Sequence, residues 1–168
     1  MLTQELVKAI LDYNPETGAL VWKVDGCRTR RGSTAGFITG NGYLTVSILK
    51  KPYRVTRIIW LYMYNYIPEH IDHINNNRLD NRLCNLRECT RAENNHNTTI
   101  SSNNTTGIKG ISLKKDGSYE ARVSAHGVRY SKALYPYNYS SKEECLLVLI
   151  DWLQSKRLEL HGEFTNHG

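Results

Sequence analysis

The stretch that most restricts what this chain can fold into runs from residue 71 to residue 97. It reads Ile71-Asp72-His73-Ile74-Asn75-Asn76-Asn77-Arg78-Leu79-Asp80-Asn81-Arg82-Leu83-Cys84-Asn85-Leu86-Arg87 and closes at Glu93-Asn94-Asn95-His96-Asn97. Asparagines crowd it and apolar side chains are sparse, the reverse of a core-building segment. It lies in the middle of 168 residues. Each half of the chain can bury only a modest core, which suits one domain of ordinary size or two small ones. Hydrophobic residues at 40% and charged residues at 23% predict a folded, soluble protein.

Charge narrows the function classes. The formal net charge is +6, which points to nucleic acid or an anionic membrane surface, although solubility alone also accounts for it. The surplus is uneven. Residues 140–168 carry Lys142, Lys156 and Arg157 against Glu143, Glu144, Asp151, Glu159 and Glu163, a balance of −2 that leaves +8 on residues 1–139. The last segment is therefore expected to face away from any polyanion. Cys27, Cys84, Cys89 and Cys145 form no Cys-x-x-Cys pair, so neither a zinc ribbon nor a disulfide framework is expected. No apolar run reaches the roughly 18 residues of a membrane span. An intracellular, cytoplasmic protein with reduced thiols is expected.

Residues 3–13 predict an amphipathic helix with Leu2, Leu6, Ala9, Ile10 and Tyr13 on one face and Thr3 as N-cap. Asn14-Pro15-Glu16-Thr17-Gly18 ends it as a turn before a strand over 19–24. Arg28-Thr29-Arg30-Arg31-Gly32-Ser33 is a basic loop. It is either a solvated surface or an arm whose Arg28, Arg30 and Arg31 touch phosphates. Residues 43–48 alternate as a strand, with Lys50-Lys51-Pro52 as the hairpin turn. Residues 53–66 are aromatic and apolar, and their later part reads as a buried helix. Residues 101–107 are polar and turn-rich, the best linker in the chain.

Within the central stretch, Ile71 and Ile74 flank Asp72-His73, which places the pair at a strand end. Leu86-Arg87-Glu88-Cys89 returns as a second strand. Thr90-Arg91-Ala92-Glu93 is a capping box, so a helix starts there and carries Asn94 in its first turn. Strand, loop, strand and helix bring the Asp72 carboxylate and the Asn94 amide oxygen together. Oxygen donors favour Mg2+ or Mn2+ over zinc. His73, with an ordinary pKa of about 6.5, can serve as general base. Asn85, on the returning strand, can hold the loop and accept a hydrogen bond from the imidazole. His96 is a spare candidate ligand.

These residues resemble the HNH endonuclease family, the ββα-metal nucleases, in its phage and intron homing type. The resemblance is carried by Asp72-His73, Asn85-Leu86-Arg87 and Glu93-Asn94-Asn95. It extends to the segment from Asp12 to Gly18, Trp22-Lys23, Gly42-Tyr43 and Arg57-Ile58-Ile59-Trp60. It implies that His73 activates water, that Asp72 and Asn94 hold one divalent metal, and that Asn85 orients the histidine or braces the loop. Two positions depart from the pattern. Asn76 stands where many relatives have glycine, and Thr56 where many have histidine. Asparagine tolerates left-handed backbone, so the loop is expected to survive.

Past residue 107, segments 108–113, 118–125 and 128–134 read as strands with turns at Lys115-Asp116-Gly117 and His126-Gly127. A helix over 140–161 follows, capped by Ser140 or Ser141. Gly107-Ile108-Lys109-Gly110-Ile111, Tyr119-Glu120-Ala121-Arg122-Val123, Leu134 and Leu160-His161-Gly162-Glu163-Phe164 resemble the Apetala-type (ethylene-response) DNA-binding domain. The resemblance implies a three-stranded sheet that enters the major groove. Alternation turns Ala121 and Val123 to the helix and Glu120, Arg122 and Ser124 outward. Arg122 is the candidate base-edge contact, Lys109 and Arg129 share its surface, and Lys114 and Lys115 suit phosphates.

The expected fold is α+β: a nuclease domain over 1–100 with its motif at 67–98, a linker over 101–107, and a three-stranded antiparallel sheet covered by one helix over 108–168. The expected function is metal-dependent hydrolysis of double-stranded DNA, site-selective in the homing manner. The alternatives are a non-catalytic sequence-specific DNA-binding regulator and a nucleic-acid-packaging protein. No obligate protein partner is evident, and a monomer and a homodimer both fit. If the chain is phage-encoded, it works in the host cytoplasm.

Overall fold

The computed structural model describes residues 1–98 and 100–162, and for His96 the backbone. Glu163 and Phe164 lie outside the described residues, as does the His96 side chain. The chain divides into two compact units, Met1–Asn94 and Asn95–Gly168. Together they form a mixed α+β structure of small antiparallel sheets and α-helices.

In the first unit, Thr3 caps α1 (Gln4–Ile10) by accepting the amide of Leu6. The helix ends three residues earlier than its apolar stripe predicts. Leu11 is extended, and β1 (Leu11–Tyr13) pairs antiparallel with β2 (Leu20–Trp22). Burial of Leu11 and Tyr13 in that hairpin outweighs continuation of the helix. A second sheet follows in the order β3 (Phe37–Ile38), β4 (Leu44–Ile48), β5 (Lys51–Arg54). Its β4–β5 turn is at Leu49 and Lys50, with φ of 51° and 61°, not at Lys50-Lys51-Pro52. Pro52 lies opposite Ser47 on edge strand β5, where a missing N–H is tolerated.

α2 (Val55–Tyr64) starts directly after β5 and stops at Asn65, which is left-handed with φ 62°. It buries Val55, Ile58, Ile59, Trp60 and Leu61 against Val7, Leu11, Leu20, Val46 and Ile48. Each fully buried Leu or Ile there contributes roughly 1.5–3 kcal/mol. This core is the platform for β6 (His70–His73) and β7 (Leu86–Cys89), an antiparallel pair whose Ile71 and Leu86 pack onto it. α3 (Arg91–His96) follows. Its predicted capping box forms: the Thr90 amide donates to Glu93 Oε2 at 2.7 Å and the Glu93 amide donates to Thr90 Oγ1 at 3.3 Å.

The second unit holds β8 (Ile111–Leu113), β9 (Tyr119–Ala125), β10 (Val128–Leu134) and α4 (Lys142–His161), with β9 central in the sheet. Ser141 caps α4 by accepting the Glu144 amide. Ile111, Ala121 and Val123 from the sheet close on Cys145, Leu149 and Leu153 of the helix. Ahead of β8, the Asn104 amide donates to the carbonyls of Ile108 and Ile111, and Thr106 Oγ1 donates to Ile111. Part of the stretch read as a linker is thus hydrogen-bonded into this unit. Among the described residues no helix is long and apolar enough to cross a membrane.

Candidate active site

The β6–β7 register sets the site. Asp72 lies opposite Arg87, and His73 lies opposite Leu86. Asp72 is buried, and Arg87 donates to its Oδ2 through Nε at 3.1 Å and Nη2 at 2.9 Å. A buried carboxylate requires such a partner. Sequence reasoning gave Arg87 no role at the site, although its place opposite Asp72 follows from the hairpin register. Cys89, one turn of the pleat away, has its thiol pushed up to about 11 by burial and by the Asp72 charge, so it stays protonated.

His73 is 4% exposed. Burial pulls its pKa below the ordinary value, while a hydrogen bond to Asn81 and the charge of Asp72 push back. The net downward shift favours the neutral ring. Its Nε2 lies 3.2 Å from Asn81 Oδ1. The Asn81 amide group donates Nδ2–H to the Leu79 carbonyl, which turns Oδ1 toward the imidazole. Nε2 therefore carries the proton and Nδ1 the lone pair.

That contact corrects one expectation. The Asn85 side chain turns to Asn75 and Asp80 and not to the imidazole. Its Nδ2 donates to Asn75 Oδ1 at 2.9 Å and to the Asp80 carbonyl at 2.8 Å, and its Oδ1 accepts the Asn75 amide. It braces the loop, and Asn81 holds the histidine. Asp80 adds a second brace through Arg82, whose guanidinium holds the Asp80 carboxyl well below the usual carboxylate range. Asn76 has φ 60°, the left-handed conformation expected where relatives carry glycine.

The turn after β1 buttresses this loop from outside. The Tyr13 hydroxyl donates to the Asn81 carbonyl at 2.8 Å, and the Leu83 amide donates to the Pro15 carbonyl at 3.0 Å. Burial raises the Tyr13 pKa to about 12, so the phenol remains a donor at any working pH. Gly18 has φ 74°, and a Cβ there would lie 2.6 Å from the backbone of Asn81 and Arg82. The motif from Asp12 to Gly18 is thus part of the site's frame.

Asn94 lies on α3, is exposed, and lines a cavity of about 70 Å³ with Tyr43, Arg54, Thr56, Arg57 and His70. His70 precedes Asp72 by two on β6, so both face one side of the hairpin. Among the described residues no three His, Cys, Asp or Glu side chains cluster as a cation cage. The donors on offer are the Asp72 carboxylate, engaged by Arg87 through Oδ2, and the Asn94 carboxamide. This hard, sparse oxygen set fits Mg2+ or Mn2+, which keep waters and substrate oxygens in their shell.

The candidate DNA contacts fall in several places. Arg28, Arg30 and Arg31 are exposed on the loop after β2. In the second unit, Arg122 and Lys114 both pair with Glu120 Oε2, and they hold that carboxyl down at about 2. Register sets Arg129 opposite Ser124 and Arg122 opposite Ser131, on the face away from α4. Lys115 is exposed in the β8–β9 turn. The Lys109 carbonyl accepts Nη2 of buried Arg157 on α4, 48 residues away in sequence, and burial with the Arg157 charge pulls the Lys109 amine down to about 8.

A family model described as HNH endonuclease matches residues 53–96. That span covers β5, α2, β6, β7 and α3 and lies outside β8–β10 and α4. The chain is 34% identical over 110 residues to Protein 3.8 of Escherichia phage T7, covering 64% of this chain and 84% of that protein. No solved structure matches.

Proposed function

The chain belongs to the family of phage T7 Protein 3.8 and carries an HNH endonuclease domain, and on that premise we propose that it is a divalent-metal-dependent DNA endonuclease. The observation that carries the reading is a buried imidazole, His73, with Nε2 set against Asn81 Oδ1 and adjacent to Asp72. Nδ1 of His73 takes the proton of the attacking water. Asn81 keeps the ring in that tautomer and stabilises the imidazolium once formed. Asn85, Asp80 and Arg82 keep the loop from shifting the base. Asp72 and Asn94 would hold one Mg2+ or Mn2+, which when bound polarises the scissile phosphate and stabilises the leaving 3′ oxygen. The β6–β7–α3 order is read as the ββα-metal arrangement.

The second unit, read as an Apetala-type module, would bias where the first unit cuts. The support is an outward sheet face with exposed Arg122 and Arg129 and the neighbouring Lys114 and Lys115. The substrate is double-stranded DNA, and site selection of the homing kind follows from this face. A second reading follows from Arg87: a carboxylate kept by a guanidinium suits a domain that binds DNA without cutting it.

Supercoiled plasmid incubated with Mg2+, with Mn2+ and with chelator separates the two. The endonuclease reading expects nicked or linear product with either metal and none with chelator. Binding without product under every metal supports the regulator, and rapid cutting in chelator contradicts the mechanism.

A further inference from the structure

Tyr43 follows left-handed Gly42 and immediately precedes β4, and its ring centroid is 6.1 Å from that of His73. Two guanidiniums rest on that ring: Arg54 Cζ is 4.1 Å from the centroid and Arg78 Cζ 4.9 Å. Arg78 is held there by donating Nη1–H to the Asn41 carbonyl at 2.8 Å. Among the described residues neither Arg54, Arg78 nor Arg57 has a carboxylate partner. Three cations gathered without counterions repel one another, and an aromatic face screens them only weakly.

The 70 Å³ cavity adjoins this stack and shares Tyr43 and Arg54 with it. Arg57 donates Nη1–H to the Pro68 and Glu69 carbonyls, which fixes its guanidinium at the cavity wall. His70 Nε2 is buried and makes no hydrogen bond; Glu69 Oε1 lies 3.6 Å from it. Glu69 also lines the cavity, but its side chain is 91% exposed, where water screens the carboxylate. Against that single screened carboxylate the wall sets two guanidiniums, an imidazole and a carboxamide, which suit something small, anionic and rich in acceptor oxygens.

We propose that Arg54, Tyr43 and Arg78, with Arg57 and His70 in the adjoining cavity, form a seat for a DNA backbone phosphate neighbouring the one attacked. The proposal rests on the endonuclease reading. One strand presents a phosphate about every 3.4 Å of helix axis, so a seat whose ring lies 6.1 Å from His73 meets a phosphate one or two steps along the strand and not the reacting one. The seat fixes the strand's position along its own length, which neither His73 nor a loosely held cation does alone. Arg54 and Arg78 are positioning residues.

The test measures duplex affinity by fluorescence anisotropy over a salt series in the full chain carrying His73→Ala, with and without Arg54→Ala. Arg54 is exposed, so its removal leaves the core intact. The seat predicts a plot of log affinity against log salt shallower by about 0.9 in the Arg54→Ala protein, the share of one phosphate contact. Arg54→Lys, which keeps the charge, should retain the slope. An unchanged slope in a protein that still binds DNA overturns the seat and leaves the endonuclease reading standing. A lowered slope in a chain whose His73 form never nicks plasmid keeps the seat and removes the endonuclease. A chain that binds no duplex at any salt loses both.

Discussion

Replacing Asn81 tests the geometry of the base most sharply. Asn81 Oδ1 is the acceptor 3.2 Å from His73 Nε2, and the residue is 3% exposed. In Asn81→Ala the imidazole keeps a buried N–H without that acceptor. When the ring takes a proton in the transition state the lost bond is one to a cation, worth about 1.5–3 kcal/mol. At 1.36 kcal/mol per decade this slows the chemical step roughly 10- to 150-fold with little change in KM. The pH profile carries a signature that a merely structural residue would not move. The base works unprotonated, so the rate falls with acid through the folded pKa of His73. Asn81 raises that pKa against burial, so Asn81→Ala should move the acid limb to lower pH. Asn81→Asp restores an acceptor and adds negative charge, so its limb should move to higher pH. The assay is plasmid nicking from acid to neutral pH at saturating Mg2+, with circular dichroism to verify the fold. A rate within twofold of the parent and limbs that do not separate would refute the assignment of Asn81 to the base.

Three further outcomes are expected. Arg87→Met leaves the buried Asp72 carboxylate without its cross-strand cation and should cost about 3–5 kcal/mol; added Mn2+ should raise the Tm of the variant more than that of the parent, and equal shifts would argue against metal at Asp72. Gly18→Ala forces a Cβ to 2.6 Å from the Asn81 and Arg82 backbone at φ 74°. It should destabilise by about 1–3 kcal/mol in thermal unfolding and depress nicking beyond what the loss of folded protein accounts for. Thr90→Ala removes half of the capping box and should cost about 1 kcal/mol; since α3 carries Asn94, the Mg2+ needed for half-maximal nicking should rise, and an unchanged requirement would detach Asn94 from the metal.

Local chemistry was the legible part of this chain. The Thr90–Glu93 box and the Ser141 cap are fixed by residues within a few positions of one another, so spacing alone points to them, while the left-handed Asn76 follows from the family resemblance, which puts glycine there. The alternation of β9 sorted Ala121 and Val123 from Arg122 for the same reason. What sequence reasoning could not reach depends on how the chain closes. Among several asparagines after His73, loop closure against Tyr13 and Pro15 selects Asn81 for the imidazole, and those contacts span nearly 70 residues. The helix over 3–13 ended early because a hairpin partner claimed Leu11. The Lys50-Lys51-Pro52 turn moved back one residue because an edge strand accommodates Pro52.

The central claim is that one imidazole removes the proton from water. It is tested most directly by following supercoiled plasmid over time with His73→Ala beside the parent, at equal folded concentration and saturating Mg2+. A positioned general base contributes about 10²–10⁴ in rate, so the account predicts near-complete loss of nicking in the variant with DNA binding preserved. Equal cutting by the two proteins would contradict it.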